Sequence, residues 1–307
     1  MTSLAEEYLA LRRKLGFRLE KPGRELLNFA GYADRVGHEG AITTEMAVRW
    51  AKLPHGADPL WRARRLDVVR RFARYRIAVD PGTEVPPAGM LGPSYRRKPP
   101  HIYSEDEIAS LLGAAASLRP AAGLRPHTYT TLLGLLASTG LRISEALRLD
   151  RTDVDLGTGV LTIVETKFHK SRLVPLHPSS TAALSAYAER RDRRHPLLRN
   201  GAFLVSDVGS RLGYGGVRCT FVELRRRLGW LPQPGRRPPR IHDLRHTFAC
   251  RRLLAWYQDG SEIHTKMPVL STYLGHVKVT DTYWYLTAVP ELMAIASARF
   301  EASREVR

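Results

Sequence analysis

Leu274-Gly275-His276-Val277-Lys278-Val279-Thr280-Asp281-Thr282-Tyr283-Trp284-Tyr285 is the stretch on which the reading of this chain turns. Leu-Gly reads as a helix stop, since glycine tolerates the left-handed backbone of a helix end. A histidine follows the stop at once, and Tyr285 comes nine residues later. A tyrosine placed this way is ordinarily core packing. In a strongly basic chain it can also be a nucleophile, and the upstream sequence decides between the two.

Three upstream segments carry polar groups that such chemistry needs. Thr139-Gly140-Leu141-Arg142-Ile143-Ser144-Glu145 sets Arg142 just after a glycine turn, at a helix start. Thr166-Lys167-Phe168-His169-Lys170-Ser171-Arg172 lies between the apolar runs 160–164 and 172–176, which predicts a β-hairpin with the lysines at its tip. Pro175 assigns the second run to a sheet edge. His242-Asp243-Leu244-Arg245-His246 puts His242 and Arg245 on one helical face. Singly, each has a plain reading: a surface ion pair for Arg142, a solvated turn for the lysines, an ordinary helix-face residue for His246. Order and spacing together are what is specific.

The bulk composition fits a polyanionic partner. Net charge is +18 with a pI near 10.4, an excess typical of nucleic-acid binding, although a coding background that favours arginine would also raise it. The 307 residues allow two domains, and a hydrophobic content of 43% argues against disorder. No apolar run approaches the roughly 18 residues of a membrane helix. The run Tyr8-Leu9-Ala10-Leu11 is too short and too closely flanked by charge to be a signal peptide. Cys219 and Cys250 are far apart and form no zinc or redox signature, and a cytoplasmic location is expected.

Residues 1–80 read as a helical, DNA-binding domain. Leu4, Tyr8, Leu11 and Leu15 recur at helical spacing before Gly16, and Leu26, Phe29, Ala30 and Ala33 mark a second helix. Thr43 or Thr44 caps a third, with Met46, Trp50 and Leu53 along its buried face and Pro54 at its end. In 61–76, Trp61, Val68, Phe72 and Tyr75 share one face, and Arg70, Arg71 and Arg74 lie on the other. Seven arginines with one acid in that segment predict phosphate contact rather than a merely solvated face. Residues 81–103 are rich in proline and glycine and predict a linker, made basic by Arg96, Arg97 and Lys98. The second domain, 104–307, opens on a Ser104/Glu107 capping box. A tail helix around Leu292, Ile295 and Ala296 closes it. The expected fold class is mainly α with a small antiparallel β element (α+β).

Through TGLRISEAL, the TK-x-x-K-x-R hairpin, HDLRHTFA, and LGH followed by the tyrosine, residues 104–290 resemble the tyrosine recombinase (phage integrase) family. The basic helical first half matches that family's core-binding domain in character. The resemblance implies an integrase-like catalytic domain that cleaves and rejoins double-stranded DNA through a covalent 3′-phosphotyrosine. It implies Arg142 and Arg245 as catalytic arginines, Lys167 as the hairpin lysine, His242 and His276 as active-site histidines, and Tyr285 as nucleophile. Lys170 is the other lysine at the tip and is assigned to DNA contact. Tyr283 is the rival nucleophile, expected to pack beside Tyr285. Assembly as a homo-oligomer, a tetramer on DNA, is implied as well.

The chemistry of these side chains suits the roles. Arginine forks clamp non-bridging phosphate oxygens without changing protonation state. Tyrosine is a phenolate in only about one molecule in a thousand at pH 7, so a base such as His242 must help it. A lysine can protonate the leaving 5′ oxygen, whereas arginine effectively cannot. No metal or nucleotide cofactor is required, and no phosphate-binding loop or metal-ligand cluster is signalled. The competing readings are a type IB topoisomerase, which relaxes DNA without strand exchange, and a DNA-binding protein that has kept the fold without activity.

Overall fold

The computed structural model describes residues 1–53, 55–95, 99–164, 171–198, 201–232 and 237–287. The chain forms two compact units, Met1–Lys98 and Pro99–Arg307.

The first unit packs four helices: α1 (Thr2–Lys14), α2 (Glu20–Arg35), α3 (Thr44–Lys52) and α4 (Pro59–Arg76). Thr43 is the cap of α3, its hydroxyl accepting from the Met46 amide at 3.2 Å. The core is built on Leu9, Leu26, Phe29, Trp50 and Phe72, with Phe29 edge-on to Trp50. Two sequence expectations fail here. Leu53 is exposed, because α3 ends at Lys52 and the chain has turned off its buried face. Trp61, expected on the buried face of α4, is also exposed, within the first turn of the helix.

Much of the arginine charge of α4 is answered within the unit. Arg65 is buried, with its guanidinium 3.8 Å above the Trp50 ring and its Nε 3.5 Å from Glu25. Arg70, expected on the outward face, is only 16% exposed and pairs with Asp67 at 2.5 Å. Arg71 and Arg74 remain exposed. The proline-rich stretch does not run free where it is described. Thr83 is buried, Val85 and Leu91 pack on the first core, and the Glu84 carboxylate accepts from the Thr44 amide at 2.7 Å. Pro54 and the basic cluster Arg96, Arg97 and Lys98 lie outside the described residues.

The second unit is mainly helical: α5 (Glu105–Ala116), α6 (Arg125–Thr139) and α7 (Ile143–Arg148) precede a small sheet. That sheet holds β1 (Val154–Asp155), β2 (Val160–Ile163) and β3 (Arg172–Pro175). After it come α8 (Pro178–Arg194), α9 (Tyr214–Arg227), α10 (Ile241–Gln258), α11 (Ile263–Leu274) and α12 (Thr280–Tyr283). The unit begins before Ser104, because Tyr103 is buried in its core and donates to the Arg240 carbonyl at 3.0 Å. The Ser104/Glu107 capping box then starts α5. The strands are antiparallel in the order β1-β2-β3, with Leu161 opposite Val174 and Ile163 opposite Arg172. Pro175 therefore sits on an edge strand, as its missing amide requires. The hairpin tip (165–170) and the tail beyond residue 287, expected to form a helix, lie outside the described residues.

Helix α6 ends at Gly140, whose φ is +63°. A Cβ there would stand 2.5 Å from Phe248 Cδ1 and 3.2 Å from Leu274 Cδ2. A Cβ in the left-handed region costs roughly 1–2 kcal/mol, and overpacking adds roughly 1–3 kcal/mol. Gly140→Ala is thus expected to lower the unfolding free energy by about 2–5 kcal/mol in urea titrations. A loss below about 1 kcal/mol would mean that Phe248 simply gives way.

Candidate active site

The site is organised on the carboxyl end of α11. A helix leaves its last carbonyls without intrahelical partners, and they carry the negative end of the helix dipole. In this chain three consecutive carbonyls each capture an arginine. Tyr273 O accepts from Arg172 Nε at 2.7 Å, Leu274 O from Arg245 Nη2 at 2.7 Å, and Gly275 O from Arg142 Nη2 at 2.9 Å. Gly275 takes φ +68° and closes a Schellman turn, in which the His276 amide reaches back to Ser271 O at 2.9 Å. The helix stop read in the sequence therefore fixes three arginines and delivers His276 beside them.

Arg142 is the N-cap residue of α7, directly after the Gly140 turn. Its amide donates to Glu145 Oε2 at 3.0 Å and its Nη1 to Oε1 at 2.7 Å, while 26% of its side chain stays exposed. Arg245 comes from the buried face of α10, and its Nη1 also donates to Gly140 O at 2.8 Å. Burial, then the Arg142 charge, push its guanidinium down to about 10, which leaves it protonated at neutral pH. Glu145 is buried and ionised. Burial alone would raise its pKa, but the hydrogen bonds and charge of Arg172, then those of Arg142, hold it at about 2.

Tyr285 is 3% exposed, in a short 3-10 turn after α12. Burial raises its pKa, and the Arg245 charge pulls against that rise. His276 Nδ1 lies 2.7 Å from the Thr282 hydroxyl, and its ring lies nearly parallel to Tyr285 with centroids 6.1 Å apart. Burial, then Arg245 and Arg142, push His276 down to about 4. His242 reaches solvent at the start of α10, and crowding, then the Arg245 and Arg240 charges, lower it as well. Both histidines are thus neutral at neutral pH in the free protein.

The structure brings together Arg142, His242, Arg245, His276 and Tyr285. Lys167 and Lys170 lie outside the described residues, and Arg70, Arg71 and Arg74 belong to the first unit. Tyr283 does not pack beside Tyr285 as expected: it is 38% exposed, because successive residues of a helical turn diverge by about 100°. The rings that surround Tyr285 are Trp284, His246 and His276. His246 is not an ordinary helix-face residue. Its ring lies 4.7 Å from His242 and 5.5 Å from Tyr285, and burial, then His242 and Arg240, push it down to about 3. The i, i+4 spacing of His242 and His246 is the signal in the sequence that points to it. Arg172 belongs to the hairpin motif, but the motif alone assigns it no role. Its alternation with buried Val174 is the sign that it faces inward.

A model of the phage integrase family matches residues 102–291, more than half of the sequence. The chain belongs to the phage integrase family of tyrosine recombinases. This recombinase is 44% identical to the putative integrase/recombinase y4rB of Sinorhizobium fredii, over 98% of this chain and 97% of that protein. It is 29% identical to tyrosine recombinase XerD of Caulobacter vibrioides, over 89% of this chain and 86% of that one. The Tn1549 transposon integrase, solved with transposon right end DNA, matches all of this chain and 99% of its own, with a TM-score of 0.72 at 17% identity. At that identity the likeness speaks to fold. As a tyrosine recombinase the protein is a DNA strand cleaving and rejoining enzyme. Among the described residues no helix is long and apolar enough to cross a membrane.

The depressed histidines set an acid limit on stability. Below the usual value of 6.5 the unfolded chain binds protons that folded His246 and His276 refuse. Their contribution is complete above about pH 6.5 and is lost as pH falls toward about 4. The melting temperature is therefore expected to drop between about pH 7 and pH 5, and to drop less in His246→Gln. Equal slopes in both proteins would remove His246 from the titrating set.

Proposed function

We propose that this recombinase is a site-specific enzyme that clamps a scissile phosphodiester between Arg142 and Arg245 and attacks it with Tyr285. The observation that supports this reading is buried Tyr285 set against the His246 and His276 rings, with His276 delivered by the same helix end that anchors Arg245 and Arg142.

The Tyr285 oxygen forms a bond to phosphorus as the bond to the 5′ oxygen breaks, leaving a 3′-phosphotyrosine and a free 5′-hydroxyl. The tyrosine proton passes to His242, which is neutral and able to receive it. The arginine charges that hold His242 down are offset once an anionic phosphate lies between them, so substrate binding itself makes His242 a better base. Lys167 protonates the 5′ oxygen, with Lys170 on the DNA backbone. With Thr282 donating to Nδ1, His276 presents Nε2–H to a phosphate oxygen. The phosphotyrosine conserves the bond energy, so a 5′-hydroxyl from a second strand can reverse the step. In the first unit the exposed Arg71 and Arg74 contact DNA phosphates, with Arg70, Arg96, Arg97 and Lys98 adding charge. The working form is a homo-oligomer, a tetramer on DNA, acting in the cytoplasm.

On a nicked suicide substrate run on a denaturing gel, the protein and Tyr283→Phe are expected to give a covalent DNA adduct, and Tyr285→Phe none. An adduct with Tyr285→Phe would transfer the nucleophile to another residue. For the first unit, Arg71→Ala with Arg74→Ala should reduce the slope of log K against log salt by roughly 2, since each arginine neutralises one phosphate. An unchanged slope would mean that both charges are solvated.

A further inference from the structure

Arg172 is not among the residues to which a catalytic role has been given, yet it is built into the site more tightly than Arg142. Its side chain is 9% exposed, and all three of its guanidinium nitrogens are engaged. Nη1 and Nη2 form a fork on Glu145 Oε1 and Oε2 at 3.2 and 2.9 Å, and Nε is held by Tyr273 O at 2.7 Å. Glu145 thereby has two cationic partners, Arg172 through both oxygens and Arg142 at 2.7 Å through Oε1. Gly275 keeps this corner open, since a Cβ on it would stand 2.8 Å from Arg172 Nη1.

A buried carboxylate with one arginine would form a closed pair, and that arginine's charge would be largely cancelled. With two arginines on one carboxylate, a net positive charge remains for an incoming anion. We infer that Arg172 is a positioning residue for DNA cleavage: it fixes and neutralises Glu145, so that Arg142 stays aimed and charged for the scissile phosphate. This inference rests on the reading of Arg142 as a phosphate clamp. The hold that Arg172 exerts on Glu145 agrees with its being the stronger of the two influences that keep that carboxyl ionised.

The test is single-turnover adduct formation on a nicked suicide duplex, with either a normal phosphodiester or a methylphosphonate at the scissile position. A methylphosphonate carries no non-bridging charge, so it makes little demand on an anion clamp. On the phosphodiester, Arg172→Ala is expected to slow adduct formation about a hundredfold, the scale of losing one preorganised donor. DNA affinity and its salt slope should be unchanged. On the methylphosphonate the defect should shrink to within a few-fold, in parallel with Arg142→Ala. Arg172→Lys keeps the charge and loses the fork, so it should show a smaller defect that disappears in the same way. It decides the matter if the alanine protein does not fold. A defect of equal depth on both substrates in the Arg172 variants, with Arg142→Ala rescued, would reduce Arg172 to a structural brace and overturn the inference. If Arg142→Ala itself is not rescued, the clamp reading fails and the inference falls with it.

Discussion

Three carbonyl oxygens at the end of one helix, each holding a guanidinium, are the interaction on which the catalytic unit depends. Arginines gathered in one place repel each other, and three of them converge here, two on a single buried carboxylate and the third on backbone carbonyls. The unfavourable part is offset locally by the dipole at the end of α11 and by unsatisfied carbonyls that need donors. Each bond satisfies two requirements at once, a helix end without partners and a cation out of water. The Gly140 and Gly275 turns matter because each contributes a carbonyl and leaves room where a side chain would collide.

Burial and neighbouring cations set the protonation of this centre in the free protein. Burial raises the Tyr285 pKa, and crowding with nearby cations holds His242 and His276 neutral. On the proposed reading of the site, a bound phosphodiester brings the negative charge that the arginines lack.

Much of this was legible in the sequence where the signal is local. The Gly140 turn before Arg142, the Ser104/Glu107 box, the edge-strand Pro175 and the Leu274-Gly275 stop each depend on a few adjacent residues and a backbone rule. What was missed depends on neighbours distant in sequence. Arg70 looked like a free cation until Asp67 and the fold covered it, and Arg65 needed Trp50 and Glu25 to be tolerated inside. Arg172 was invisible as part of the site because its partners lie 27 and 101 positions away. Tyr283 misled because proximity in the chain is not proximity on a helix. The prolines of 81–103 correctly exclude regular structure in the described part of that stretch, but they do not forbid packing, and Val85 and Leu91 use that freedom.

The carboxyl end of α11 also determines where the chain can change in length. One residue added to or removed from α11 would rotate its last turn by about 100° and shift it by about 1.5 Å. Tyr273, Leu274, Gly275 and His276 would move together, and three arginines would lose their acceptors in a single event. Substitutions on the outer face of the same helix carry no such penalty. Natural or engineered relatives of this recombinase should therefore vary on the outer face of α11 and hardly at all in its residue count.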